Sequence, residues 1–315
     1  MNRLLLTGFI AFWGLGMEVH AQADISMATD WYNRANYNPG SICKPDYIYL
    51  FTNVRRQWLG VSGSPTTFNV QASEYIDNLN SAFGISMVSD RIGATQSINP
   101  MLTYAYKIGN NQDWSVSMGL SAGLFSSSID GSLLEAENVS DSYLYSNIDR
   151  ILKPDANFGV EFQSKHFIAG LSSTHLFSYV KDTSLYLNTN HRYGYLIYKN
   201  NELELCNYNI GIQVVNRYNL NVLEGNASIR FKRPTGLTTG PSEIFDLGIT
   251  YRTSHQLTCL FGVNISPDFR IGYAYDQSFL SGYSQNSSHE IMLEYRIPSK
   301  AASGSKYRSD NYWYR

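Results

Sequence analysis

Residues 119–123 read Gly-Leu-Ser-Ala-Gly and match the G-x-S-x-G pattern that surrounds the nucleophile of many serine hydrolases. In those enzymes the serine sits on a sharp turn between a strand and a helix, which exposes its hydroxyl. Here the segment lies inside a run from Trp114 to Leu124 in which apolar and small polar residues alternate strictly. Because this alternation predicts one unbroken strand, we interpret Ser121 as a small side chain on its polar face.

Other catalytic or metal-binding chemistry finds little support in the sequence. The six histidines include His20, and none of them is clustered with Asp, Glu or Cys at the spacing of metal ligands. We therefore expect no metal, no cofactor and no enzymatic activity. One enzymatic alternative, a lipase of the membrane, would need a Ser–His pair that faces lipid at the outer rim of the protein.

Charged residues of both signs recur on the polar face of the last predicted strands. They are Asp246, Arg252, Arg270, Asp276, Glu290, Glu294 and Arg296. These side chains could line a channel that selects ions or a substrate. Alternatively, they could form a network of ion pairs, because charges are retained in an interior mainly when they are paired. We favour the network, which predicts an occluded interior.

The element that must position all of these residues is the β-strand. Residues 114–124 are as long as the ~9–11 residues with which a tilted strand crosses a bilayer. Only 16% of the residues are charged, whereas soluble domains carry about 25%, and the chain contains 24 Tyr. No later window approaches ~18 consecutive apolar residues, which argues against transmembrane helices. The net charge of −2 gives no case for nucleic-acid binding.

The alternation predicts about fourteen strands, an even number, as bacterial single-chain barrels prefer. They lie near 47–57, 66–75, 81–89, 98–108, 113–126, 156–163, 167–176, 192–199, 202–215, 222–231, 243–252, 256–265, 269–277 and 289–297. The predicted fold is thus all-β, a transmembrane antiparallel β-barrel of the outer-membrane type. Most connections on one side are tight turns, and the other side has longer loops, including 90–97 and 127–155. This asymmetry predicts that the turns face the periplasm and the loops face the outside.

Both ends of the chain are expected to lie outside the barrel. Residues 1–21 combine a basic start with a short apolar run and small residues, which predicts a signal peptide cleaved after Ala21 or Ala23. Residues 24–46 are expected to form a periplasmic segment, residues 47–297 the barrel, and residues 298–315 a periplasmic tail. The cysteines, Cys43, Cys206 and Cys259, allow at most one bridge, and free thiols are expected.

Several sequence blocks resemble the PorP/SprF family of type IX secretion system outer-membrane proteins. The family typically shows an N-P-A-Y-A-G-like start, an R-x-Q-W-x-G-x-x-G-x-P-x-T segment, a G-Y-S-Y-D strand and a final H-E-I strand. The matching positions are Asn38, Pro39, Gln57, Trp58, Gly60, Gly63, Pro65, Gly93, Arg252, Tyr275, Asp276, His289 and Glu290. The blocks occur in this order over about residues 24–297, although Gly40 replaces the usual Ala.

The resemblance implies a non-enzymatic barrel subunit of the type IX secretion and gliding apparatus in the cell outer membrane. Its implied partners are outer-membrane lipid, other components of the secretion system, and a secreted adhesin or other cargo protein. A competing class is a porin or transporter for a small or hydrophobic solute. Gly60, Gly63 and Pro65 are expected to shape the first extracellular hairpin, and Trp58 to anchor the end of its strand at the interface.

The tail suggests a docking element. Residues 299–315 carry four basic residues against one Asp, together with four aromatic residues. A loose overhang is one interpretation, since chain termini are commonly disordered. The other is a segment that binds a periplasmic partner, because Arg and aromatic residues are frequent anchors of interfaces.

Overall fold

The computed structural model describes residues 27–110, 113–130, 149–177, 189–217, 220–233, 243–279 and 287–299. These residues form fourteen antiparallel strands in one closed barrel. Each strand pairs with its neighbours along the chain, and the first pairs with the last through ten opposed residue pairs from Tyr47–Pro298 to Arg56–His289. The predicted fold class is confirmed. Among the described residues, helices of a length and apolarity suited to crossing a membrane do not occur.

The strands lie close to their predicted positions. They are β1 Tyr47–Arg56, β2 Thr66–Ile76, β3 Ser81–Ile92, β4 Thr95–Asn110, β5 Trp114–Ile129, β6 Asp149–Ser164, β7 Phe167–Thr174, β8 His191–Asn200, β9 Cys206–Arg217, β10 Leu220–Lys232, β11 Glu243–Arg252, β12 Gln256–Asn264, β13 Phe269–Ser278 and β14 Ser287–Pro298.

The two faces of the sheet differ as the alternation predicted. In β5, Leu120 and Leu124 are exposed on the outer face, whereas Ser117 and Ser121 are buried on the inner face. Successive side chains of a strand point to opposite sides, so every strand contributes to both surfaces. The outer surface is therefore the apolar face that a membrane requires. Closure of the sheet into a barrel also suits a membrane, because it leaves no unpaired strand edge. Hydrocarbon offers no hydrogen-bond partner for an unpaired N–H or C=O group.

We name the two ends of the barrel by their connections. The turn end contains the start of β1 and connections such as 77–80 and 165–166, and the loop end contains connections such as 57–65 and 130–148. One predicted loop, 90–97, was wrong. There β3 and β4 remain paired up to Ile92 and Thr95, and only two residues form the turn. Polar residues in this region indicated a loop, but polar side chains at the barrel rim are compatible with continued pairing.

Three neighbouring strands are longer than a membrane requires. β4, β5 and β6 each contain 16 residues, against the ~9–11 needed for a crossing. The predicted loop at 127–155 is shorter as a consequence, since β5 continues to Ile129 and β6 begins at Asp149. The extra residues lie at the loop end, where the outer face of β5 changes from leucines to Ser126 and Ser128.

The largest departure from the sequence-based expectation concerns the N-terminal segment. Residues 27–46 were expected in the periplasm, but they lie within the barrel and contact the inner faces of strands on several sides of it. We call these residues the plug. It contains three short 3-10 turns, Ala28–Trp31, Arg34–Asn36 and Pro39–Ile42. The segment precedes the first predicted strand and was therefore expected outside the barrel, but its polar and its apolar side chains both have partners on the inner wall.

Candidate functional site

The plug packs against three separate apolar patches of the barrel wall. Trp31 and Tyr37 contact residues of β7, β8 and β9, among them Ile168 and Ile197. Tyr32 belongs to a second cluster with Phe51, Leu260, Ala274 and Met292, and Ile42 and Cys43 belong to a third with Tyr75, Ala82 and Ala105. Because the three patches lie on different sides of the lumen, the plug spans the barrel from wall to wall.

The first polar anchor of the plug is Glu290 on β14, which is completely buried. Its carboxylate accepts hydrogen bonds from the backbone N–H of Ala28 at 2.7 Å and from the hydroxyl of Thr29. On the wall, Asn53 Nδ2 donates to it at 2.6 Å, and Arg55 Nη1 lies 3.3 Å away. This one carboxylate therefore accepts hydrogen bonds both from the start of the plug and from the adjacent strand β1.

The second anchor is an ion pair between the plug and β6. Arg34 Nε donates to Glu161 Oε2 at 2.7 Å and Arg34 Nη2 to Oε1 at 3.2 Å, and both side chains are buried. Tyr195 also donates its hydroxyl to Glu161. Burial by itself lowers the pKa of Arg34, but the charge of Glu161 outweighs burial, so the net shift is upward. Arg34 is thus held in its charged form, and the pair binds the plug to the wall.

The third anchor stacks an arginine of the wall on an aromatic ring of the plug. The guanidinium carbon of Arg270 lies 4.2 Å from the centroid of the Tyr32 ring. Arg270 Nη2 also donates to both oxygens of Asp246 at 2.6 Å. A desolvated cation over an aromatic face is attracted by the ring quadrupole, which adds to the area that Tyr32 buries.

Two glycines of the wall make room for the sequence Asn-Pro-Gly of the plug. A Cβ atom at Gly119 would overlap the backbone of Pro39, and one at Gly159 would overlap the side chain of Asn38. Asn38 is completely buried, and its Nδ2 donates to Tyr195 at 2.7 Å and to the Val160 carbonyl at 3.1 Å. The small residue at 119, interpreted above as part of a strand rather than of a nucleophile elbow, is thus the seat of the plug.

The predicted network of charges in the last strands is confirmed for most of its members. Asp276 lies 2.5 Å from Arg55 Nη2 and 3.7 Å from Arg252 Nη1, while Arg252 Nε lies 3.1 Å from Glu224. Arg252 Nη2 also donates to the carbonyl of Met27. Glu294 and Arg296 are more loosely associated, at 3.9 Å. The structure thus brings Arg252, Asp276 and Glu290 of the resemblance motif together around the start of the plug.

A second group of motif residues lies in the β1–β2 hairpin at the loop end. Gly60 and Gly63 have φ angles of +97° and +72°, which L side chains rarely adopt, as expected for residues that shape a turn. Gln57 N–H donates to the Pro65 carbonyl and closes the hairpin, and Trp58 N–H donates to Ser288 on β14. Gly93 N–H donates to Gly63 and joins this hairpin to the β3–β4 turn.

The remaining motif residues, Tyr275 and His289, lie on the outer face and not in the lumen. Their rings are 5.3 Å apart, and His289 Nδ1 lies 2.6 Å from the Tyr273 hydroxyl. They stand beside each other on β13 and β14. The motif therefore marks three places: the plug and its anchors, the first hairpin, and an aromatic cluster on the outer face.

The described residues do not bring three His, Cys, Asp or Glu side chains together as a metal site. Ser121 lies mid-strand, with its hydroxyl 2.8 Å from that of Thr103. The three cysteines are free, with Cys43 buried in the plug and Cys259 exposed on the outer face. What the arrangement accomplishes is mechanical: it holds a segment of the chain across the lumen.

Sequence reasoning missed the residues that hold the plug, above all Arg34, Glu161 and Tyr195. One signal was present in the wall. Inner positions such as Gly119, Leu260 and Met292 are apolar or lack a side chain, although they belong to the face that alternates with lipid-facing residues. A water-filled lumen does not require such residues, whereas a lumen filled by protein does.

Solved structures of hydrocarbon channels and of an outer-membrane protein resemble this barrel. The TodX deltaS2S3 mutant, a monoaromatic hydrocarbon channel, gives a TM-score of 0.50 at 8% identity over 83% of this chain and 93% of its own. The CymD monoaromatic hydrocarbon channel gives 0.49 at 12% identity over 89% and 95%, and Omp33 of Acinetobacter baumannii gives 0.44 at 9% over 81% and 100%. At these identities the likeness concerns the fold alone.

No curated protein matches the sequence. The family described as type IX secretion system membrane protein PorP/SprF matches it over residues 19–295. This range contains the plug, its anchors, the first thirteen strands and β14 up to Tyr295. The protein is accordingly an outer-membrane β-barrel, and the chain belongs to the PorP/SprF family of type IX secretion system membrane proteins.

Proposed function

We propose that this protein is a non-enzymatic barrel subunit of the type IX secretion and gliding apparatus. In this proposal it supports secretion or surface localisation of a cargo adhesin and docks periplasmic components, and the cargo does not pass through its lumen. The family and the barrel fold point to a role in secretion rather than in catalysis. The observation that supports a closed lumen is the plug, held by Arg34–Glu161 and by Glu290.

The buried contacts that hold the plug favour a scaffold over a channel that opens. A segment that opens and closes readily would be bound by exposed contacts, whereas these anchors are buried. Removing one partner of a buried ion pair typically costs ~3–5 kcal/mol, because the other charge is left without compensation. Displacing the plug would break this ion pair and the hydrogen bonds to Glu290, and it would expose three apolar patches.

A disulfide that locks the plug in place tests this proposal. The side chain of Ser117 on β5 lies close enough to the Cys43 thiol of the plug to influence its pKa, so Ser117→Cys would place a second thiol near it. Burial raises the pKa of Cys43 to about 11, so an added oxidation catalyst is required to close the bond. We expect the oxidised variant to secrete and display the cargo as well as the wild type does, and Ser117→Ala is the matched control.

If oxidation of the Ser117→Cys variant stops secretion and reduction restores it, the lumen is the route of the cargo and the scaffold proposal is wrong.

Deletion of the gene should leave the cargo undelivered, and mild-detergent purification should recover periplasmic components with the barrel. The alternative, a porin or transporter for a small or hydrophobic solute, predicts large and stable ohmic steps in planar bilayers. We expect little conductance.

A further inference from the structure

The outer face of β1 to β5 and of the adjoining β13 and β14 carries a depression that the proposed function does not use. It is an open groove of about 770 Å³ on the membrane-facing side of the sheet. Its lining includes small side chains such as Thr52, Ala72 and Ala122 and larger ones such as Leu102 and Tyr295. Its volume lies within the range of ligand sites, and its lining is apolar, so it fits hydrocarbon chains.

Two arginines stand on the same outer face above this groove. Arg56 is opposite Thr66 on β2, and Thr66 is opposite Arg91 on β3. Both arginines are exposed and lie two strand spacings apart, which is ~10 Å. Within the described parts of the chain, neither forms an ion pair. Long arginine side chains at this separation can bind the same phosphate group or two neighbouring ones.

The arginines lie nearer the loop end of the barrel than the groove does. Arg56 follows the groove residue Thr52 by four positions, and Arg91 follows the groove residue Met87 by four. Four residues span ~13 Å along the strand, which is ~10 Å along the membrane normal at a tilt of about 40°, so the arginines lie above the groove within one half of the ~30 Å hydrocarbon core. Between these levels on β3 lies Ser89, a small and half-buried side chain.

We propose that the groove and the two arginines form a binding site for lipid A, the phosphorylated glycolipid of the outer leaflet. Its phosphates would contact Arg56 and Arg91, since guanidinium groups bind phosphate oxygens in a bidentate manner. Its acyl chains would fill the groove below. The assignment to lipid A follows from the position of the arginines at the loop end, which is the end expected to face outward.

The test measures bound lipid A directly and does not depend on secretion, so its failure is separable from failure of the proposed function. Purified protein is reconstituted in phosphatidylethanolamine vesicles with a small fraction of lipid A, extracted in mild detergent and analysed by native mass spectrometry. We expect retained lipid A in the wild type. Each of Arg56→Gln and Arg91→Gln should lower retention about fivefold, the contribution typical of one arginine at an anionic lipid surface.

Two further variants distinguish the site from general attraction. Arg192→Gln removes an exposed arginine on β8, away from the groove, and should retain lipid A like the wild type. Ala122→Leu fills the groove without changing charge and should lower retention. A heat-modifiability gel establishes that each variant is folded.

The outcomes decide the proposal. Equal retention by Arg56→Gln, Arg91→Gln and the wild type would overturn it, as would equal retention of dephosphorylated lipid A. Retention of phosphatidylglycerol to the same extent as lipid A would overturn the choice of lipid. Loss in both arginine variants and in Ala122→Leu, with Arg192→Gln unaffected, would support it.

Discussion

Replacing Glu161 by Gln should weaken the binding of the plug to the wall and leave the strand pairing of the barrel intact. The substitution preserves the size of the side chain but removes the charge that compensates Arg34, whose guanidinium is bound at 2.7 and 3.2 Å. Gln also offers one acceptor oxygen in place of two, although Arg34, Tyr195 and Gln163 all donate to Glu161. The barrel ladder does not involve this side chain, so the effect should be confined to the plug.

The expected loss of stability in Glu161→Gln follows from the burial of the ion pair. Arg34 and Glu161 are 3% and 0% exposed, so water cannot replace the lost partner while the plug stays in place. Breaking such a pair from one side costs ~3–5 kcal/mol, whereas replacing both charges by apolar groups of similar size is often neutral. We therefore expect Glu161→Gln to cost ~3–5 kcal/mol and the double variant Arg34→Met with Glu161→Met to recover most of that loss.

Two measurements check this reasoning. Urea unfolding in lipid vesicles of the wild type, Arg34→Met, Glu161→Met and the double variant gives the free energies for a double-mutant cycle, and planar-bilayer recording shows whether the lumen has opened. We expect Glu161→Gln to be less stable and to show intermittent conductance that the wild type and the double variant lack. A coupling energy below ~0.5 kcal/mol would mean that the two residues act independently, and the proposed anchor would have to be abandoned.

Four other predictions concern the lipid face, the plug seat, pH and the tail. Leu120→Arg should cost ~2–4 kcal/mol in vesicle unfolding, whereas Ser128→Arg, on the same face near the rim, should cost under about 1; equal costs would contradict the assigned depth. Gly119→Ala should displace the plug and make it accessible to protease, because the added Cβ overlaps Pro39; unchanged protection would show that the seat adapts. Burial raises the pKa of Asp30 from 3.8 to about 7, so its stabilising contribution is complete below about pH 4 and is lost as the pH rises through 7. Asp30→Asn should accordingly gain stability over the wild type between pH 4 and 7 in urea titrations, and a pH-independent difference would refute the shift. Truncation after Ser299, which still bonds the plug and β2, should leave the barrel folded while ending capture of a periplasmic partner in pull-downs; full capture would assign docking elsewhere.

The barrel could be predicted from the sequence because its determinants are local. Alternation between leucine and serine along residues 114–124 fixes which face of β5 meets lipid, and no distant residue is needed to infer it. Strand ends were less accurate, as at 90–97, because pairing at a rim depends on the neighbouring strand and on a left-handed Gly93. The length of β4 to β6 was missed for the same reason.

The plug could not be placed from the sequence because its partners are remote. Arg34 and Glu161 are 127 positions apart, and their contact depends on the closure of the whole barrel. The block Asn38-Pro39-Gly40 is recognisable in the sequence only through the family resemblance, and nothing in the alternation around Gly119 indicates that this glycine makes room for it. The residues of the signal peptide and the tail at 300–315 lie outside the described residues, so their assignments stay predictions.

The bond between the start of the plug and the last strand also constrains the order of folding. Ala28 and Glu290 are 262 positions apart, and Glu290 reaches its place only when β14 pairs with β1. The 3-10 turns of the plug are too short to be stable alone, so the segment gains its structure late, from the finished wall. Seating of the first described residues and closure of the barrel seam are therefore one cooperative event. An incompletely closed barrel would therefore keep its N-terminal segment accessible to solvent.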